Sequence, residues 1–215
     1  MYKKKPIFVT FEGIEGSGKS YQCRKLYKNL RKKNLSVLLT REPGGTTGAE
    51  KIREVILKDY FHQNSKEKFN KYTDTLLYLA ARNEHIRDRI RPAILKKKII
   101  ICDRFIDSTL AYQVYGDGVN KTLIDSVHKH ILGGIKPDLT FILKANILKA
   151  MRRLKERKIK NRYDKFSKNF YSRVQKAFLK IAMTDKKKYI IIDNSLDTPE
   201  TEKLIFKKFN KFLKR

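Results

Sequence analysis

The sequence predicts an α/β fold, a five-stranded parallel sheet with helices on both faces. Two observations carry that expectation. Five short, apolar, β-branched runs are spaced along the chain with long helical patterns between them. Strands that alternate with helices in this way join through crossovers and lie parallel. The first run is also followed at once by Gly13-Ile14-Glu15-Gly16-Ser17-Gly18-Lys19-Ser20, a G-x-x-x-x-G-K-S string that opens a helix-competent segment. Strand, glycine-rich turn and helix are the context a phosphate-binding loop requires, so the expected architecture is that of a P-loop NTPase.

In chain order, strands are expected at Ile7 to Phe11, Ser36 to Thr40, Ile99 to Cys102, Leu139 to Leu143 and Tyr189 to Ile192. Lys98-Ile99-Ile100-Ile101-Cys102 is almost wholly apolar, as befits a strand covered on both sides. A helix is expected from Lys19 to about Lys32. Tyr60 to Phe69 reads as a polar connection, and Gly133-Gly134 closes a helix before the fourth strand. Residues 151 to 165 are densely basic and poor in apolar side chains, which suggests a short basic lid. No repeat and no Pro/Ser-rich linker interrupts the chain, so one domain over residues 1–215 is expected.

The chain carries 51 Lys and Arg against 22 Asp and Glu, a net charge of +29. Such an excess fits nucleic acid, an anionic membrane or small polyanions as partners. The lysine runs at 96–98, 186–188 and 207–208 are scattered rather than gathered into one arm. They read as solvated helix faces, and nucleic acid is not required as a partner. No apolar run approaches the roughly 20 residues of a membrane span. The basic start, Met1-Tyr2-Lys3-Lys4-Lys5, leads into a strand rather than a signal peptide's apolar stretch. Cys23 and Cys102 form no metal or redox spacing, so both are expected as reduced thiols in a cytoplasmic protein.

In parallel sheets, ligands gather at the carboxyl ends of strands. After the first strand, the amides from Gly13 through Ile14, Glu15, Gly16, Ser17 and Gly18, with the new helix at Lys19, Ser20 and Tyr21, would cradle nucleotide phosphates. Lys19 would reach the β- and γ-phosphates, and the Ser20 hydroxyl would help hold Mg²⁺. After the second strand, Thr40-Arg41-Glu42-Pro43-Gly44-Gly45 would carry Arg41 and Glu42 to the site edge. After the third, Asp103 suits a magnesium-shell carboxylate and Arg104 a bidentate phosphate clamp. After the fourth, the arginines of the lid, Arg153 and Arg157 among them, could close over a transferring phosphoryl group, whose charge spreads over its equatorial oxygens.

Several strings together resemble the bacterial thymidylate kinase family over nearly the whole chain. They are residues 11–20, Thr40 to Thr46, Ala80-Ala81-Arg82, Asp103 to Gln113 and Pro137-Asp138-Leu139-Thr140. Arg-Glu-Pro-Gly-Gly and Asp-Arg-Phe…Ser…Ala-Tyr-Gln carry most of the specificity. The resemblance implies transfer of the ATP γ-phosphate to dTMP with Mg²⁺, on a nucleoside-monophosphate-kinase fold, by a homodimer that packs helices face to face. It implies that Glu15 meets the acceptor sugar's 3′-hydroxyl, that Arg41 and Arg104 clamp the acceptor phosphate, and that Pro43 packs near the sugar. It further implies that Tyr78 stacks on thymine and Arg82 reaches its carbonyl edge. Thr109, Tyr112 and Gln113 fall on base- and sugar-contacting positions, with Ser108 on the same loop. Arg153 and Arg157 match lid arginines. The phosphate loop holds no arginine, which implies the subtype whose catalytic arginine comes from the lid, here Arg157. Leu76-Leu77 and the helix after Arg82 would offer the apolar dimer patch. Two other readings remain: a kinase for another nucleoside monophosphate, and an ATP-switched, non-enzymatic nucleic-acid binder suggested by the charge.

Overall fold

The computed structural model describes residues 5–57, 68–157, 161–195 and 198–214. The expected polar connection at Tyr60 to Phe69 lies almost entirely outside the described residues, as do residues 158–160 of the lid. β1 (Ile7–Glu12), β2 (Val37–Arg41), β3 (Ile99–Asp103), β4 (Leu139–Lys144) and β5 (Tyr189–Asp193) form one sheet in the order β2-β3-β1-β4-β5. Every pairing is parallel. All five expected strands are present, and each runs one residue further at its carboxyl end. The hydrophobic pattern stops first because those last side chains are polar: Arg41 and Asp103 line a cavity at the carboxyl ends of the strands, and Lys144 pairs with Asp193. The ladder nevertheless continues, pairing Phe11 and Arg41 with Asp103 and Lys144 with Asp193.

The helices among the described residues are α1 (Lys19–Arg31), α2 (Thr47–Leu57), α3 (Lys71–His85), α4 (Arg91–Leu95), α5 (Ile106–Thr109), α6 (Lys121–Leu132), α7 (Ile147–Lys155), α8 (Lys168–Ala182) and α9 (Pro199–Leu213). A π-helical turn, Ile86–Ile90, joins α3 to α4. It ends two residues before Pro92, which has no amide to donate to a regular ladder. A second π turn, Leu110–Val114, extends α5. α6 ends on Gly133 in the left-handed conformation, φ 54°, the helix stop read from the glycine pair.

Strand alternation sorts the core into layers. Val9, Phe11, Ile99, Ile101 and Phe141 point to one face, where they meet Leu26 and Leu30 of α1 and Ile205 and Phe209 of α9. Phe8, Ile100 and Cys102 point to the other, against Ile86, Ile90 and Ala93. A third cluster joins Ile14 and Ile142 to α7 and α8 through Leu154, Tyr171, Val174 and Phe178. Thr10 and Thr140, partners in the β1–β4 register, satisfy each other by a buried 2.8 Å hydrogen bond. Both cysteines are free and buried, and burial pushes their thiols well up.

The basic segment is anchored by its few apolar side chains: Leu154 of α7 is buried, and Tyr163 is only 6% exposed. The expected apolar dimer patch narrows. Leu77 packs on the third cluster, and Ile86 and Ile90 turn inward under β3, because the helix needs those residues for its own core. Leu76 and Tyr72, one turn apart on α3, remain exposed. No helix among the described residues is long and apolar enough to cross a membrane.

β1 sits between β3 and β4, and the chain reverses its direction of travel across the sheet there. The crevice at the carboxyl end of β1 is therefore where a ligand fits. Phe141 is fully buried, its ring centroid 5.1 Å from that of Phe11. Phe141→Ala is expected to lower unfolding free energy by about 3–5 kcal/mol in urea denaturation, with an unchanged m-value if the fold is kept.

Candidate active site

A cavity of about 680 Å³ opens at that crevice. Its floor is the phosphate loop. Gly13, at φ +139°, has no room for a Cβ, which would stand 2.5 Å from Leu143 O. Gly16, at φ +71°, is similarly pressed against Ala150 O of α7. Gly18 caps α1 at φ 92° with no side chain to satisfy the first amides, so those amides and the helix's positive end remain for an anion. Lys19 Nζ donates to Ile14 O at 2.7 Å and to Ser17 Oγ at 3.4 Å. Burial, with Arg104 nearby, lowers the Lys19 pKa to about 8. Asn194 Nδ2 braces the loop by donating to Ser17 O at 2.9 Å. Tyr21 stands on the rim, half-exposed.

The Ser20 hydroxyl donates to Asp103 Oδ2 across the mouth of the loop. One hydroxyl and one carboxylate in contact are hard oxygen donors of the kind magnesium takes beside phosphate and water. The pair fits that ion as a partial shell, and no cluster of three or more His, Cys, Asp or Glu among the described residues offers another metal site.

Arg104 follows β3 in the left-handed region, φ 74°. Its amide continues the ladder to Phe11 O at 3.0 Å, while its side chain swings across the loop. Nη1 donates to Gly13 O at 2.9 Å and Ser108 Oγ at 3.0 Å, and Nη2 to Glu15 Oε1 at 2.7 Å. The guanidinium lies over the Tyr112 ring, 5.1 Å from its centroid. Tyr112 donates its hydroxyl to the other oxygen of Glu15. Burial works against the Glu15 charge, but Arg104 and Lys19 outweigh it and hold its carboxyl below the usual range.

The loop after β2 behaves differently from expectation in one respect. Glu42 does not stay at the edge: it is 5% exposed and accepts from Arg82 Nε at 2.8 Å and His85 Nδ1 at 2.9 Å. The cause is the buried Arg82 guanidinium behind it, which needs a counter-charge, with the buried His85 ring beside it. His85 Nε2 in turn meets Thr40 Oγ1 at 2.6 Å. Gly45, φ +91°, is required here, since a Cβ would strike both Thr40 and His85. Arg41 is half-exposed and bonded to Glu50 at 2.9 Å. Pro43 follows a cis peptide bond, and its carbonyl accepts from Arg53 at 2.7 Å.

Tyr78 finds the hydroxyl partner its ring needs in Tyr163, and the two rings meet edge to face. Arg82, one turn further along α3, donates to Thr109 Oγ1 at 2.9 Å and Phe105 O at 3.0 Å. Ser108, Thr109, Tyr112 and Gln113 all line the cavity. From the lid, Arg153 Nη1 reaches Gly16 O at 2.9 Å, and Arg157 pairs with Asp164 at 3.5 Å. The return segment is pinned by the Asn161–Asp164 capping box and by Arg162, which pairs with Asp74 of α3.

The sequence-predicted residues thus line or border one cavity. Missed were Arg53, Tyr163 and Glu12. Glu12 is fully buried and accepts from Phe105 N at 2.7 Å and Ser108 Oγ at 2.5 Å. Its place at the end of β1, beside the glycine loop, was the available signal. Nothing in the sequence marked Arg53 or Tyr163.

A phosphate-loop string and an arginine-lined cavity, at the carboxyl ends of one parallel sheet, define a P-loop nucleoside monophosphate kinase fold. The chain matches the family model described as thymidylate kinase over residues 11–205. It is 45% identical over 183 residues to a thymidylate kinase of Wolbachia pipientis wMel, covering 83% of this chain and 86% of that one. It is 37% identical over 199 residues to one from Sulfurihydrogenibium sp. (strain YO3AOP1), covering 93% and 94%. The crystal structure of thymidylate kinase from Ehrlichia chaffeensis matches with a TM-score of 0.75 at 32% identity, over 96% of this chain and 99% of that one. The chain belongs to the thymidylate kinase family.

Burial, and then neighbouring Asp107, raise the Glu12 pKa from 4.5 to about 8. The native state therefore keeps a proton that the unfolded chain releases, and stability falls as pH rises across that window. Glu12→Gln is expected to flatten this fall by on the order of a few kcal/mol, read as urea midpoints at intervals from pH 5 to 8. An unaltered slope would show that Glu12 is ionised in the native state.

Proposed function

We propose that the protein transfers the γ-phosphoryl group of ATP to the 5′-phosphate of dTMP, giving dTDP and ADP by in-line displacement in a ternary complex. The observation that carries this reading is Arg104, whose one guanidinium contacts the donor loop at Gly13 and the acceptor-side carboxylate of Glu15.

On the donor side, the amides of residues 13–21 hold the triphosphate, and Lys19 meets its β- and γ-oxygens. Ser20 and Asp103 would hold Mg²⁺, which neutralises those oxygens when bound. On the acceptor side, Arg41 and Arg104 hold the 5′-phosphate, which requires Arg41 to exchange its bond to Glu50. Glu15 accepts from the sugar 3′-hydroxyl, and Pro43 packs against the ring. Tyr78 stacks on thymine while Tyr163 holds its hydroxyl. Arg82 donates to a thymine carbonyl, with Thr109, Tyr112 and Gln113 around base and sugar and Ser108 steadying Arg104. The lid, residues 151–165 of a single domain, brings Arg153 and Arg157 to the travelling phosphoryl group and excludes water. No base need remove a proton, since the acceptor is already an oxyanion; positioning and charge do the work. The chain works as a homodimer through the outer face of α3, where Tyr72 and Leu76 are exposed.

Coupled ADP release with dTMP, dUMP, AMP, GMP and CMP is expected to rank dTMP first; a purine ranked first overturns the assignment. Lys19→Met is expected to lower kcat about 10²–10³-fold with the fold intact by circular dichroism. Near-normal turnover would remove Lys19 from the chemistry. Arg157→Ala is expected to lower kcat more than it raises the KM for dTMP, and a change confined to that KM would refute the lid role.

A further inference from the structure

His128 lies behind the acceptor pocket on α6 and does not line the cavity. It is 8% exposed, and its Nε2 stands 2.7 Å from Arg82 Nη1. A guanidinium has five N–H donors. Arg82 spends one from Nε on Glu42, two from Nη1 on Thr109 and His128, and one from Nη2 on Phe105 O. Its plane is also seated on the Phe105 ring, 5.3 Å from the centroid. Among the described residues nothing takes the second Nη2 hydrogen, and Arg82 lines the cavity. Because arginine only donates, His128 Nε2 must accept, with the ring proton on Nδ1. Burial and the Arg82 charge push the His128 pKa down to about 3, so it remains an acceptor at neutral pH.

We propose that His128 is a positioning residue for base recognition: by taking the second Nη1 hydrogen it fixes the plane of Arg82 and leaves one directed donor for a pyrimidine carbonyl. The inference rests on the dTMP reading above. Without His128, a buried charged donor has no acceptor, and the guanidinium gains by turning away from its present plane. Since His128 touches no part of the cavity, any effect on the acceptor passes through Arg82, and the phosphate loop is untouched.

Steady-state kinetics of H128Q, H128N and H128L test this. A glutamine amide oxygen reaches the place of Nε2, and an asparagine oxygen falls short of it. H128N and H128L are expected to raise the KM for dTMP about tenfold, with kcat and the KM for ATP within about twofold. H128Q is expected to stay within about threefold of the wild type for dTMP. A wild-type dTMP KM in H128N, or a loss shared equally by dTMP KM, ATP KM and H128Q, overturns the proposal. Thermal melts followed by circular dichroism establish folding; if H128L does not fold, the contrast between H128Q and H128N decides. Wild-type enzyme that turns over ATP but not dTMP would instead refute the functional reading.

Discussion

Arg104 ties the end of β3 to the phosphate loop. Its backbone adopts a conformation that costs a side-chain-bearing residue about 1–3 kcal/mol. That turn lets the amide finish the β1–β3 ladder while the guanidinium crosses to Gly13, Glu15 and Ser108. A relaxed residue here would extend β3 and point its side chain away from the loop. The strain is offset by charge-assisted hydrogen bonds to partners that are themselves buried or half-buried. Lys19, Glu15 and Arg104 then form a single electrostatic unit. Glu15 stays ionised because two cations face it, and Lys19 loses basicity because it is buried and because Arg104 repels its charge.

A second buried unit stands behind the first. Thr40, His85, Glu42, Arg82 and His128 make a continuous chain of hydrogen bonds from β2 to α6. Burying a lone Glu42 or Arg82 would be prohibitive, and breaking such a pair from one side leaves an uncompensated charge. Four of the five Arg82 N–H donors are held by this chain and by Thr109 and Phe105 O, which makes Arg82 a rigid element rather than a flexible side chain. Rigidity is what a base-reading group needs, because a donor that can swing accepts more than one hydrogen-bond pattern.

The fold was legible because its signals are local and repeated. Five apolar runs separated by helical patterns admit few architectures, and the glycine string names the strand after which the site opens. Residues whose role is to point into the cavity at a strand end were legible for the same reason: Lys19, Ser20, Asp103 and Arg104 follow directly from strand order. What escaped notice depends on long-range contact. Glu42 looked like an edge residue because nothing nearby in sequence reveals His85 and Arg82, some forty positions away, behind it. Leu77, Ile86 and Ile90 looked available for a partner because periodicity cannot say which face of a helix already has a neighbour. The basic segment gave no sign of its anchorage because its few apolar residues, Leu154 and Tyr163, are outnumbered by charges, although they are the ones that hold it to the core.

The charge excess takes on a more specific meaning at the cavity. Lys19, Arg41, Arg53, Arg82, Arg104, Arg153 and Arg157 line it, against Glu15, Glu42, Asp103 and Glu202. Three of those acids are already committed, Glu15 to Arg104, Glu42 to Arg82 and Glu202 to Lys25. The field left over is positive and lies between low-dielectric walls, where it acts on an anion far more strongly than the dispersed surface lysines can. The surface lysines are screened within about 8–10 Å at physiological salt, so most of the +29 does not reach the reacting groups. A triphosphate and a monophosphate must approach end to end despite their mutual repulsion. On the proposed reading, the cations that overcome it come from three parts of the fold: the phosphate loop, the carboxyl ends of β2 and β3, and the segment carrying Arg153 and Arg157. Because each group is fixed by its own packing, none can be assembled without the sheet that sets their spacing.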